Sequence, residues 1–264
     1  RISVQASRNR VLRFLGVDAD AVNWGWLSDK ERFVFEAYDS SDRLREPLLR
    51  SDNDNGHTTV SWSQAMTRCV SALSVDKPSR VAFLGGSRLT NEAQYAWVRL
   101  AKGVIGTDNV DAQLADGLSP EVVLGLPRAT IDEACVPGGV IILLGPDPKE
   151  ELGSLYLRLR HAVAHEGATL VELTPRSTGL TSLATHSIRI SPGSARQAVA
   201  AMCGENKFEW LDLPVEELME AGQVLNENRP ITVLVGRTSL AECSDFVTDA
   251  ALAFHDSYPE ARFL

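Results

Sequence analysis

The strongest constraint on this chain is an uninterrupted apolar run, Val140–Leu144, stopped at once by Gly145 and Pro146. Apolar residues in succession, without alternation, describe a strand covered on both faces, as in a parallel sheet. The residues after it read as a crossover. Asp147 is placed to cap a helix, Pro148 suits its first position, and Glu150 falls where a capping-box acid sits. Leu152, Leu155, Tyr156, Leu159 and Val163 recur at helical spacing, which predicts one helix with one apolar face, ended by Gly167. Ala168–Leu173 predicts the next strand, closed by Thr174-Pro175. Short connections between strand, helix and strand imply a right-handed parallel unit. The expected fold is therefore α/β: a mostly parallel Rossmann-like sheet with helices on both faces, preceded by a small β-rich, irregular segment.

At 264 residues, 44% apolar and 23% charged, the chain has material for one large domain or one and a half smaller ones. The excess of 35 acids over 26 bases gives a net charge of −9, which argues against a nucleic-acid surface. No apolar run approaches the ~18 residues of a membrane helix. The chain begins at Arg1 rather than Met and ends without a polar tail, so both ends read as cuts within a longer protein. Cys69, Cys135, Cys203 and Cys243 are too scattered for C-x-x-C ligation of zinc or iron–sulfur. Their apolar or helical surroundings predict buried free thiols.

Residues 1–15 read as a hairpin turning at Ser7-Arg8-Asn9-Arg10, and residues 17–50 as irregular, with Trp24, Trp26, Phe33, Phe35 and Tyr38 pinning them to something larger. Asn55-Gly56 signals a turn, Ser61 a cap for a helix over Trp62–Leu73, and Val81–Leu84 the first strand of the larger domain. Ala93, Ala96, Trp97, Leu100 and Val104 then mark a helix face. Residues 112–138 read as loop apart from a short capped helix at Thr130–Cys135. Ser194 is placed to cap a helix through Met202, part of Phe208–Gln223 reads as helical, Ile231–Val235 as the last buried strand, and Leu240–Phe254 as a helix. The domain division expected is 1–76 and 77–264. His161 and His165 lie four apart on a helix without a third ligand, so a solvated face is the expected reading, and no acid–base constellation assembles from the isolated histidines.

Several collinear motifs resemble one family. Gly145-Pro146-Asp147-Pro148, Gly167-Ala168, Thr174-Pro175-Arg176-Ser177-Thr178 and Ser191-Pro192-Gly193 resemble segments of the molybdopterin oxidoreductase superfamily. Upstream, Val22-Asn23-Trp24-Gly25-Trp26-Leu27-Ser28-Asp29-Lys30-Glu31-Arg32-Phe33 is similar to its V-N-x-x-W-[IL]-S-D-K-x-R-F segment, and Gly106-Thr107-Asp108-Asn109-Val110-Asp111 agrees further. Within the superfamily the likeness is to the G subunit of bacterial respiratory complex I, an NADH-quinone oxidoreductase, and its mitochondrial counterpart.

The resemblance carries expectations. Relatives hold a pterin guanine dinucleotide in loops matching Gly145, Pro146, Asp147 and Pro148, then Thr174, Pro175, Arg176 and Thr178, then Pro192 and Gly193. Thr174 and Ala195 stand where those relatives use aspartates. The loops are therefore expected to persist as architecture with no cofactor, no metal and no catalytic residue; Ser119 is the one hydroxyl near the relatives' metal-ligand position. Ser28 stands at the cysteine of the cluster-binding C-x-K-G-R pattern, with Glu31 at its glycine. Lys30 and Arg32 are expected to form ion pairs or meet a neighbour. The resemblance implies a non-catalytic scaffold, inactive alone, within a proton-translocating NADH:quinone oxidoreductase. Its partners would be other peripheral-arm subunits, with neither nucleic acid nor a membrane span, on the cytoplasmic face of the bacterial membrane. The parent protein's 2Fe-2S and 4Fe-4S clusters would belong to an N-terminal region that this sequence does not include. A molybdopterin-dependent oxidoreductase of the formate dehydrogenase or nitrate reductase type is the alternative, and an unrelated nucleotide-binding α/β protein is a third.

Overall fold

Arg8 and Asn9 take left-handed backbone angles, φ 49° and 64°, and close the turn between β1 (Ile2–Ser7) and β2 (Arg10–Gly16), which pair antiparallel. Residues 17–50 contain more order than expected. Ser28 accepts a hydrogen bond from the Glu31 amide while the Glu31 carboxylate accepts from the Ser28 amide at 3.1 Å, a capping box that starts α1 (Asp29–Phe33). A 3-10 turn, Val34–Tyr38, comes next. The computed structural model describes residues 1–38, 40–50, 56–86, 89–112, 118–205, 213–227, 229–236 and 243–264. The chain divides into two compact units, Arg1–Glu36 with Asp116–Leu264, and Ala37–Ala115, a partition that differs from the contiguous 1–76 and 77–264.

In the second unit, β3 (Leu48–Arg50) pairs antiparallel with β4 (His57–Thr59); Asn55 of the expected turn lies outside the described residues. Helix α2 (Trp62–Leu73) begins at Ser61 with Gln64 completing its capping box, as its sequence predicts. Then come β5 (Phe83–Leu84), α3 (Asn91–Val98) running on as a π-helical stretch through Ile105, and β6 (Val110–Asp111). The expectation that Val81–Leu84 opens the main sheet is corrected: among the described residues β5 pairs with β6 alone. Phe83 is buried but Leu84 is exposed, so this strand lacks the double-sided cover of a central one. Of the expected helix face, Trp97 meets Phe83 edge-on at 5.1 Å, whereas Val104 is exposed.

In the first unit, α4 (Pro120–Gly125) occupies a stretch expected to be loop; Pro120 stands in the first helical turn, where a missing amide costs nothing. Helix α5 (Ile131–Ala134) carries the capping box of Thr130 and Glu133. Beyond it lie β7 (Val140–Leu144), α6 (Pro148–Glu151), α7 (Gly153–His165), β8 (Thr169–Thr174), β9 (His186–Arg189), α8 (Ala195–Met202), α9 (Val215–Gly222), β10 (Ile231–Val235), α10 (Ser244–Ser257) and β11 (Arg262–Phe263). Strands order as β11-β10-β7-β8-β9, every neighbouring pair parallel. The strand at Ile231–Val235 is thus not the last.

All of β7 is buried, and its side chains divide by period two. Val140, Ile142 and Leu144 join Val171, Leu173, Ile188 and Val233 beneath α8, α9 and α10. Ile141 and Leu143 join Leu170 and Leu234 beneath α5 and α7. The α/β architecture with helices on both faces is therefore present as expected.

The single helix expected after β7 is instead two. Leu152 leaves the helical region at φ −136°, ψ 67°, and is exposed rather than part of the apolar face. Glu150 makes no capping box and pairs with Lys30 at 2.6 Å. Directly after the break the chain makes a close approach: a Cβ on Gly153 would collide with Ser28 Oγ and lie 2.7 Å from the Glu31 carboxylate. The start of α7 thus lies directly against the α1 cap, an approach only glycine permits.

Arg158 fastens the N-terminal segment to α7. It is 2% exposed and donates to Asp132 Oδ1 at 2.5 Å and to the carbonyls of Asp20 and Val22 at 3.3 and 3.2 Å. Its guanidinium lies 3.7 Å over the Trp24 ring. Lysine cannot reproduce that fork, so Arg158→Lys should cost about 2–3 kcal/mol, read as a lowered urea midpoint; an unchanged midpoint would remove this role. The expectation of buried thiols holds for Cys135 alone: Cys69 is exposed, and Cys203 and Cys243 are only partly buried. Burial pushes the Cys135 thiol up to about 11. Iodoacetamide at mildly alkaline pH should label Cys69 in the folded chain and reach Cys135 only after unfolding; equal rates would contradict this burial.

Candidate functional site

In an open parallel sheet, ligands bind beyond the strands' carboxyl ends where the strand order reverses. Here the reversal lies at β7, which has β8 on one side and β10 on the other. Its loop begins Gly145-Pro146-Asp147-Pro148, the first of the motifs singled out by sequence. Pro146 and Pro148 are buried. Pro146 packs on Gly236, the residue after β10, so closely that a Cβ there would lie 2.8 Å from Pro146 Cβ. The mouth of the reversal point is thus filled by proline against glycine.

The polar groups of these loops serve one another. Asp147 Oδ1 accepts from the Lys149 amide, capping α6, and from the Gly179 amide, both at 3.2 Å, which ties the first loop to the second. Thr174 is fully buried and donates to the Arg176 carbonyl at 2.7 Å. Ser194 does not cap α8 as expected; it donates to the Ser191 carbonyl at 2.6 Å, while Ala195 is buried beside it. Pro175 and Pro192 share a cleft of about 570 Å³ with Ser187, Arg189, Ser191 and Glu217, while Arg189 donates to Ser177 at 2.5 Å. Gly193 stands next in the chain at φ 88°, near the Phe246 ring. Arg176 is exposed near Glu150 and Glu151. Lys30 holds Glu150 below the usual carboxylate range by hydrogen bond and charge; burial and then the Asp147 charge raise Glu151, against the pull of Arg176. The structure therefore links the first and second loops, and the second and third, without gathering every motif residue around one cavity.

One residue that matters here was not singled out from sequence. Glu172, on β8, is fully buried. Its carboxylate accepts from the Thr178 hydroxyl and, at 2.9 Å, from Ser187 Oγ of β9. No lysine or arginine meets it among the described residues. Thr178 also accepts from the Leu180 amide at 3.0 Å, so the loop after β8 hangs on this carboxylate. The available signal was a lone acid inside an otherwise apolar strand, since a buried carboxylate demands partners. Thr178→Val removes a donor and an acceptor together and should cost about 1–3 kcal/mol by urea denaturation; no loss would show that the carboxylate does not depend on it.

The sequence-matched cluster position does not offer an open ligand. Ser28 is buried, donates to Glu31 Oε2 at 2.7 Å, and lies against Gly153. Of its neighbours, Lys30 forms the expected ion pair, but Arg32 has no carboxylate partner among the described residues. His165 is exposed, in keeping with a solvated face, whereas for His161, which is only partly exposed, that reading is corrected. The His161 ring meets Trp24 and Trp26 edge-on, each at 5.5 Å, and His165 at 5.1 Å. The signal in sequence was Trp24-Gly25-Trp26, whose rings need a surface to cover. No group of three or more histidine, cysteine, aspartate or glutamate side chains converges as a metal site among the described residues.

The family model for molybdopterin oxidoreductases matches residues 43–208. The NADH-quinone oxidoreductase G subunit of Mycobacterium bovis is 30% identical over 260 residues, covering 94% of this chain and 31% of that protein. Its Streptomyces coelicolor counterpart is 27% identical over 270 residues, with 94% and 32% covered. The F420-dependent formate dehydrogenase 2 subunit alpha of Methanococcus maripaludis is 27% identical over 178 residues, with 66% and 26% covered. The chain spans about a third of the length of the G-subunit relatives it matches. The matched region takes in all the carboxyl-edge loops from Gly145 to Gly193, and the chain belongs to the molybdopterin oxidoreductase family.

Proposed function

We propose that the chain is a segment of an NADH-quinone oxidoreductase G subunit that acts as a non-catalytic scaffold in the peripheral arm. In this reading the parent's iron–sulfur clusters lie outside this sequence. The segment's work is to pack against neighbouring subunits at the cytoplasmic face of the membrane. Similarity to the G subunits along 94% of the chain supports the assignment. Among the described residues no helix is long and apolar enough to cross a membrane.

The observation that carries the non-catalytic part is the self-satisfaction of the carboxyl-edge loops. Asp147 is occupied by two backbone amides, Thr174 by a carbonyl, and Ala195 offers no acceptor. A guanine-bearing pterin presents donors that need acceptors. Leaving one unpaired in a buried site costs roughly 1–3 kcal/mol. The residues present therefore do not fit that group, and the Ser28 hydroxyl is engaged by the Glu31 carboxylate and amide in a helix cap, with Gly153 packed against it.

The second reading, a molybdopterin guanine dinucleotide-dependent oxidoreductase, is favoured by the similarity to a formate dehydrogenase alpha subunit. Elemental analysis and the visible spectrum of the full chain, purified from cells able to make the pterin cofactor, separate the two. The scaffold reading expects neither molybdenum nor iron in a folded protein; stoichiometric molybdenum would overturn it in favour of the second.

A further inference from the structure

We propose that the cleft between α1 and α7 binds a multivalent oxyanion of the diphosphate class. The cleft encloses about 400 Å³, and Trp26, Arg32, Leu157, Arg160, His161 and His165 are among its lining residues. It shares no residue with the carboxyl-edge loops, so the proposal is independent of the reading given to them.

Charge favours an anion here. The chain carries a net −9, yet this cleft gathers two guanidinium groups and two imidazoles, and no carboxylate lines it among the described residues. Several basic groups elsewhere are paired with a carboxylate: Lys30 with Glu150, Arg158 with Asp132, Arg229 with Glu227 and Arg262 with Glu133. Arg32 and Arg160 have no such partner among the described residues. The one acid near the imidazoles is Glu166, 3.4 Å from His161 Nε2. Uncompensated positive charge held at one place in an acidic protein raises the local concentration of anions.

Rigidity adds to charge. Arg32 stands on a helix fixed by its capping box, and the cap lies against the start of α7, which carries Arg160, His161 and His165. Trp24 and Trp26 meet edge-on at 5.1 Å, and the buried Arg158 stacks on Trp24. The backbone that carries these groups and the indole wall beside them are thus braced by contacts of their own, which lowers the ordering cost of binding. Guanidinium forks match oxyanions bidentately, and imidazole N–H groups add donors. Two forks on different helices suit an anion with two charged centres better than a single carboxylate. A free diphosphate and the diphosphate of a nucleotide share that chemistry.

Titration calorimetry of the full chain tests this, at low ionic strength, with sodium pyrophosphate and, separately, ADP. One-to-one saturable binding of pyrophosphate is expected. Arg32→Gln and Arg160→Gln should each weaken it about tenfold, while Arg176→Gln on the carboxyl edge leaves it unchanged. ADP binding more tightly than pyrophosphate would identify a nucleotide as the source; equal or weaker binding would identify free diphosphate. Arg160 is exposed, so its variant keeps the test valid even if Arg32→Gln misfolds. No saturable heat at millimolar pyrophosphate, unchanged affinity in folded Arg160→Gln, or loss of binding in Arg176→Gln would overturn the proposal.

Discussion

Everything in the α/β unit depends on the burial of one strand on both faces. Each residue of β7 is at most 1% exposed, so neither side of the sheet at its centre can face water. Burying such a strand takes two helical layers, and the chain supplies them as α5 and α7 on one side and α8, α9 and α10 on the other. Parallel pairing then requires each connection to cross over a face. The same arrangement delivers every loop of interest to one edge. The location of the loops after β7, β8 and β9 is thus a consequence of hydrophobic cover, whatever chemistry they retain.

Onto this frame the N-terminal segment is held by contacts of another kind. Arg158 is buried among backbone carbonyls, a carboxylate and an indole face. Gly153 admits the Ser28 cap at the point where α6 gives way to α7. Polar anchoring of this sort contributes little net energy but is costly to disrupt, because a stranded charge has nowhere to go. It also unites two readings of the motif around Ser28. Ser28 begins a helix, and Arg32 on that helix becomes one wall of a cleft.

Much of this was legible in the sequence, for identifiable reasons. The β7 strand, the hairpin at Arg8-Asn9 and helix α2 from Ser61 were readable because apolar runs, turn residues and capping boxes act over a few residues. The contact of Gly153 with Ser28, beside the break at Leu152, was not, because the two residues lie far apart in the chain. The placement of β5 outside the main sheet was likewise hidden: a short apolar run does not reveal whether anything covers it. At the site, the motif residues were found by resemblance, yet their partners were not. That Asp147 would reach Gly179, and Thr178 reach Glu172, depends on how two loops meet, which spacing along the chain does not encode.

The margins of the five-stranded sheet carry a consequence of their own. Its outermost strands are β9, of four residues, and β11, of two. A rim so brief presents few free amides and carbonyls, and the rest of each flank is not extended in a way that could template another strand among the described residues. Edge-to-edge zipping of a second copy onto this sheet is thereby discouraged, and the longer strand edges among the described residues belong to the separate β1–β2 hairpin.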